Sequence, residues 1–239
     1  MAQKKSLSII SIVLNFIIFG LTVIWTILIV AGVKFHKDAG VEILFLASNV
    51  ENLKYFTVDS NVLAGIAAII YAIFQIKRLK GSVQTMPKWV YTLKLAGTAG
   101  ITLTMFVTMF FLAPQYKDDW FSLFRGINFF FHLVSPMLCI ITFLALEPAE
   151  EHPFKYTLFG VLPMVAYSIF YTTNVMVHLE NGIPLKKYDW YDFLGGNLSN
   201  AFITIPVMLL VTWGITILLW WINKIISKRC YKIFSTNEL

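Results

Sequence analysis

The chain has 239 residues, 58% hydrophobic, 16% aromatic and 13% charged, with a mean hydropathy of +0.72 and a formal net charge of +6. Soluble domains carry about 25% charged residues, so this composition belongs in a bilayer and excludes a soluble enzyme, a disordered chain and a disulfide framework. The basic residues flank apolar runs instead of clustering on one face, which is a mark of membrane topology and not of nucleic-acid binding.

Apolar runs of about 20 residues, the length a helix needs to cross the hydrocarbon, occur from Leu7 to Val33, Phe56 to Ile76, Trp89 to Ala113, Phe129 to Leu146, Tyr156 to Val177 and Ala201 to Ile222. The expected fold is therefore all-α: a polytopic integral membrane protein with six transmembrane helices forming one domain over residues 1–239. The first run is too long for the apolar region of a signal peptide, about 7–15 residues, and reads as a retained span. Cys139 falls inside an apolar run and Cys230 in a basic tail, so neither gives a framework or a metal spacing.

Basic residues set the orientation. Lys4, Lys5, Lys77, Arg78, Lys80, Lys88, Lys155, Lys224, Lys228, Arg229 and Lys232 lie on the side of the N-terminus, against Lys34, Lys37, Lys54, Lys117, Arg125, Lys186 and Lys187 on the other. That excess predicts N-in and C-in, with a multi-pass plasma-membrane location. The outer connections are the longer ones and rich in aromatics, which points to function on that side. Val41 to Phe56 mixes apolar and polar residues like an interfacial or re-entrant helix, and Tyr188, Trp190, Tyr191 and Phe193 read as an aromatic belt.

Several polar residues sit where lipid disfavours them. The purely apolar part of the second span, Val62 to Ile76, is too short to cross, so the helix extends back through Phe56-Thr57-Val58-Asp59-Ser60-Asn61. Thr57 or Asp59 could serve as an N-cap, but four polar groups exceed what a cap uses. In the fourth span Asn128, His132 and Ser135 are spaced i, i+4, i+7 and share one helix face. Pro136 has no amide hydrogen, which would free the carbonyl of His132 for another partner. An ionisable residue within a span is a candidate for function, and histidine's ordinary pKa of about 6.5 suits a base near neutrality.

The outer ends of the last two spans add Tyr167, Tyr171, Asn174 and His178 in one stripe, with Asn197, Ser199 and Asn200 opposite. The reading is a shared polar pocket at the outer edge, with Ser60, Asn61, Asn128, Ser135, Tyr171, Asn174, His178 and Asn200 as candidate substrate-binding residues. The inner ends offer nothing comparable. Lys94 reads as a snorkelling residue near the inner face, and the threonines and glycines of the third span as close helix packing.

A hydroxyl beside an imidazole is a nucleophile and base pair, and an amide nearby could stabilise an oxyanion. Metal binding is the rival, a zinc-dependent hydrolase using His132 and His178 with Asp59 as a carboxylate ligand, but no metal-ligand spacing supports it. A third class is a protein that binds or passes a small lipid-like molecule without turnover.

Phe56-Thr57-Val58-Asp59-Ser60-Asn61, the Asn128-x3-His132-x3-Pro136 element and the outer aromatic loop before the last span together resemble the androgen-induced-gene and FAR-type membrane protein family, above all its bacterial members. The resemblance covers most of the chain. It implies a six-span threonine hydrolase of fatty acid esters of hydroxy fatty acids, with Thr57 as nucleophile and His132 as general base. No cofactor and no nucleic-acid partner are expected; the expected partner is a membrane lipid or fatty acid ester.

Overall fold

The computed structural model describes residues 2–33, 49–115, 119–148 and 152–236. Among the described residues six helices are long and apolar enough to span a membrane: α1 Lys5–Val30, α2 Phe56–Leu79, α3 Lys88–Gln115, α4 Gly126–Leu146, α5 Phe154–Val177 and α6 Leu198–Lys228. At about 1.5 Å per residue each is long enough for a hydrocarbon layer of about 30 Å. This is an all-α bundle with the character of a polytopic membrane protein. The segment expected as an interfacial helix, Val41 to Phe56, lies largely outside the described residues; its visible part, Asn49–Lys54, is a 3-10 helix.

α3 is the central helix. Its span is 67% buried, against 22% for α1 and 17% for α6, because Ala96, Gly97, Ala99 and Gly100 let its neighbours approach closely. A Cβ on Gly97 would stand 3.1 Å from Ala64 Cα of α2, so the two backbones meet there without a side chain between them. α1 and α6 form the rim, presenting Ile24, Ile27, Phe202, Ile203 and Leu210 to the surroundings, as lipid-facing surfaces do.

Two helices depart from α geometry at prolines. α3 becomes π-helical over Thr108–Leu112, where the Ala113 amide bonds the Thr108 carbonyl, and α4 does so over Phe130–Val134, where the Ser135 amide bonds Phe130. In each case the residue that reaches five back immediately precedes a proline, Pro114 or Pro136. A proline ring collides with the carbonyl four residues earlier, and a π turn relieves the collision by widening the helix; such bulges recur at functional sites.

Between α5 and α6 a short hairpin pairs Leu179–Glu180 with Ile183–Pro184. Its two-residue turn, Asn181-Gly182, has positive φ at both positions, 51° and 80°, as the hairpin-favouring I′ turn requires. The chain beyond it carries the aromatic run, whose Tyr188, Trp190, Tyr191 and Phe193 are half-buried. Trp190, Tyr191, Phe193 and Leu194 fold back onto Phe56, Tyr167 and Tyr171, while Tyr188 stacks on His178 at 3.8 Å between ring centres. The buried Asp189 carboxylate holds the loop, accepting from the Tyr171 hydroxyl and, at 3.1 Å, from the Leu194 amide.

The opposite end of the bundle, which carries the chain termini, corrects the sequence reading of Lys94. Lys94 is 1% exposed and donates to Asn15 Oδ1 at 2.6 Å; Asn15 Nδ2 donates to Glu147 Oε1 at 2.6 Å, and Lys94 Nζ lies 3.6 Å from that same oxygen. It does not snorkel, because Asn15 of α1 and Glu147 just past α4 are its partners inside the bundle. That end thus holds a buried polar cluster of its own.

Candidate functional site

α2 and α4 bring Thr57, Asn128 and His132 to one cavity, whose other walls are Ile29, Tyr55, Val58, Leu112, Leu123, Phe131 and Tyr191. Leu112 comes from the π segment of α3, and Phe131 and His132 from that of α4. Both proline-induced bulges therefore border the same space.

His132 is 8% exposed, with Nδ1 at 2.8 Å from the Leu123 carbonyl. A carbonyl only accepts, so Nδ1 carries the proton and Nε2 of the neutral ring holds a lone pair. The segment Trp120–Phe124 thereby fixes both tautomer and ring orientation, as partners of functional imidazoles do.

Thr57 lies in the first turn of α2 and is half-buried. It is not the N-cap, nor is Asp59: that position falls to Tyr55, which makes no side-chain cap bond. The Thr57 carbonyl accepts from Asn61 Nδ2 at 2.7 Å and Ser60 Oγ at 3.1 Å, so these two brace the turn that presents the threonine. Its hydroxyl is a polar neighbour of the Tyr191 phenol, whose proton burial makes harder to remove, pushing it above the ordinary value. Tyr191 is therefore a hydrogen-bond donor throughout the physiological range. Among the described residues no hydrogen bond joins Thr57 directly to His132.

Asn61 also donates to the Phe131 carbonyl at 3.2 Å. The freed carbonyl was expected at His132; the π turn moves it to Phe131, because Ser135 bonds Phe130 and the next residue, Pro136, has no hydrogen to offer. Asn61 fills that vacancy from the neighbouring helix, tying α2 to the bulge that carries His132.

The remaining candidates divide. Ser60 is buried 2.9 Å from the Thr104 hydroxyl and packs α2 on α3. Ser135 is buried but does not line the cavity. Tyr171 lines a different cavity, between α5 and α6. Asn174, His178 and Asn200 line neither of these cavities: the Asn174 carbonyl lies 2.7 Å from His178 Nδ1, and Asn200 Nδ2 donates to the Leu194 carbonyl at 2.8 Å. They shape the loop instead of the site. Asp59, once a candidate ligand, is exposed, and among the described residues no three His, Cys, Asp or Glu side chains converge.

Tyr55, Tyr191 and the Leu123 carbonyl are site groups that residue spacing did not single out. Tyr191 stood in an aromatic run whose inward fold depends on Asp189, and a backbone acceptor carries no sequence signal. Chemically, the cavity offers an alcohol, a basic ring nitrogen, and the Asn128 amide and Tyr191 phenol as donors for developing negative charge. No protein-family model matches the chain, and neither does any curated protein or solved structure.

Proposed function

We propose that the protein is an intramembrane threonine-dependent hydrolase, or acyl-transfer enzyme, acting on lipid esters such as fatty acid esters of hydroxy fatty acids, and that it belongs with the family its motifs resemble. The proposed orientation is N-in and C-in in the plasma membrane, with the cavity toward the outer leaflet. The observation that carries the reading is one cavity lined by both Thr57 and His132, with His132 Nδ1 committed to Leu123, which leaves Nε2 as the proposed base.

In this reading Nε2 takes the Thr57 hydroxyl proton as Oγ1 attacks the ester carbonyl carbon. The tetrahedral oxyanion receives hydrogen bonds from Asn128 or Tyr191, and collapse breaks the carbon–oxygen bond to the leaving alcohol, which takes the proton back from Nε2. A water, deprotonated by the same nitrogen, then attacks the acyl-threonine, releasing the carboxylic acid and restoring Thr57. An acceptor alcohol in place of water makes the reaction acyl transfer. Catalytic hydrogen bonds are often long before substrate binds and tighten with it, which is compatible with the separation of Thr57 from His132.

A fluorophosphonate probe tests the pair: the purified protein forms a covalent adduct, Thr57→Ala abolishes it, and His132→Ala slows it by about 10²- to 10⁴-fold, the usual worth of a general base. Labelling that survives Thr57→Ala removes the nucleophile assignment. The missing direct hydrogen bond favours a second reading, a lipid-binding protein without turnover. Retention of a lipid through purification with no hydrolysis of any ester would select it.

A further inference from the structure

The Thr57–His132 cavity does not end at Thr57. A second cavity shares Thr57, Leu112 and Tyr191 with it and continues along Leu103, Val107, Met164, Phe193 and Met208. A third shares Met164, Tyr167, Phe193 and Met208 with the second and runs on to Ser168, Thr172, Thr204 and Ile205, between α5 and α6. Three spaces that share walls in this order form one row of adjoining cavities. It crosses the bundle from the α2–α4 side to the α5–α6 side, with two methionines where the second meets the third.

The wall chemistry selects an occupant. Four hydroxyls along the path have spent their hydrogens on the protein: Thr104 donates to the Gly100 carbonyl, Tyr167 to that of Lys54, Thr204 to that of Phe193, and Tyr171 to Asp189. An apolar ligand lying against them strands no donor. Thr172, by contrast, has a buried hydroxyl with no partner; it stands in the third cavity beside Ser168. Methionines are unbranched and flexible, so Met164 and Met208, on the wall common to the second and third cavities, can yield to a chain passing them.

We propose that the three cavities together form a tunnel for the linear acyl chain of the ester, with its carbonyl at Thr57 and its ω-end between α5 and α6, and that Met164 and Met208 set the chain length accepted. This deepens the hydrolase reading and rests on it. It also dictates the form of the selectivity. A chain drawn from a bilayer leaves one apolar medium for another, so extra methylenes gain no hydrophobic transfer energy. The tunnel therefore sets a length cut-off, with a flat response below it.

Two experiments on the purified full chain in nanodiscs test this. In the first, 4-methylumbelliferyl esters from acetyl to palmitoyl are compared by kcat/KM. Met208→Trp and, independently, Met164→Phe lower the long-to-short ratio at least tenfold and move the cut-off to shorter chains; an unchanged ratio in both folded variants overturns the tunnel. In the second, palmitic acid with a terminal diazirine is photolysed with the wild-type protein, and the adduct is mapped. Insertion at Ser168 to Thr172 or Thr204 to Met208 supports the tunnel. Insertion elsewhere overturns it, as does equal labelling there by a phospholipid bearing the same diazirine, which marks a slot for bulk lipid. If no ester is turned over, the hydrolase reading falls, and the photolabel alone still decides whether the path holds an acyl chain.

Discussion

Replacing Lys94 by methionine removes one charge from a pair that is 1% and 0% exposed and leaves Glu147 facing Asn15 alone. At the observed 3.6 Å and an effective dielectric constant of about 20, the attraction between unit charges is about 5 kcal/mol. Desolvation of both groups opposes it, so the cost of truncating one partner is better taken from broken buried pairs generally, about 3–5 kcal/mol. For a chain of this length each kcal/mol shifts the melting temperature by roughly 2–4 °C, which gives a drop of roughly 6–20 °C. Burial already pushes the Glu147 carboxyl above its ordinary value, with Lys94 and Asn15 opposing the shift. Without Lys94 the carboxyl escapes by protonating. An acid with a raised pKa in the folded state stabilises that state only while protonated, so the single variant loses further stability as pH rises. Lys94→Met with Glu147→Gln leaves no bare charge and recovers most of the loss. The assay is thermal unfolding in detergent, followed by tryptophan fluorescence at pH 5.5 and 8. A single variant within about 1 kcal/mol of wild type, or a double variant worse than the sum of the singles, would refute the buried-pair account.

Two further outcomes are expected. Asn61→Leu strands the Phe131 carbonyl that it now serves, whereas the Thr57 carbonyl keeps the Ser60 hydroxyl, and costs about 1–3 kcal/mol of stability at the usual loss per buried unsatisfied group; adding Pro136→Ala, which supplies an amide hydrogen to α4, recovers part of it in the same melting assay. His152 is buried next to the Tyr91 ring, and burial, helped by the Lys88 charge, lowers its pKa from about 6.5 to about 4. The unfolded chain then binds the proton more readily, so this contribution is present above about pH 6.5 and is lost as pH falls toward 4. Thermal melts from pH 7.5 to 5 should show that loss in the wild type and its absence in His152→Gln.

The spans were readable because each is a long apolar run, and α2 does begin at Phe56, as the length of its apolar part required. Hydropathy counts residues without saying which way they face, so Lys94 looked like a chain end reaching for water when its partners were Asn15 on α1 and Glu147 just past α4. The site was half legible for a geometric reason. Asn128, His132 and Ser135 share a face of an α-helix, but one extra residue in the π turn rotates the remainder of α4 by about 100°. Asn128 and His132 keep the cavity, and Ser135 turns out of its lining. In the stripe on α5, Tyr171 meets a cavity while His178, at the end of the helix, lies against the carbonyl of its own previous turn.

The polar clusters at the two ends of the bundle are built on opposite principles. At the end bearing the termini, nearly every buried group is answered: Tyr91 donates to Asn223 Oδ1 at 2.9 Å, Asn223 Nδ2 donates to the Phe143 and Glu147 carbonyls at 2.6 and 2.7 Å, and Asn15 bridges Lys94 and Glu147. These bonds tie α1, α3, α4 and α6 together, and apart from one Glu147 oxygen they leave little reactive capacity. At the other end the backbone is answered before the side chains are: Asn61 and Leu123 satisfy the bulge and the imidazole proton, yet His132 and Thr57 both border a cavity. Satisfied buried networks rigidify, whereas a basic nitrogen held in one tautomer beside an open space is poised to exchange a proton with whatever enters. The clamp at one end fixes the helices whose other ends shape the cavity. A bundle arranged this way can keep a reactive polar site within a membrane-spanning fold, because the helices that bear it are anchored elsewhere.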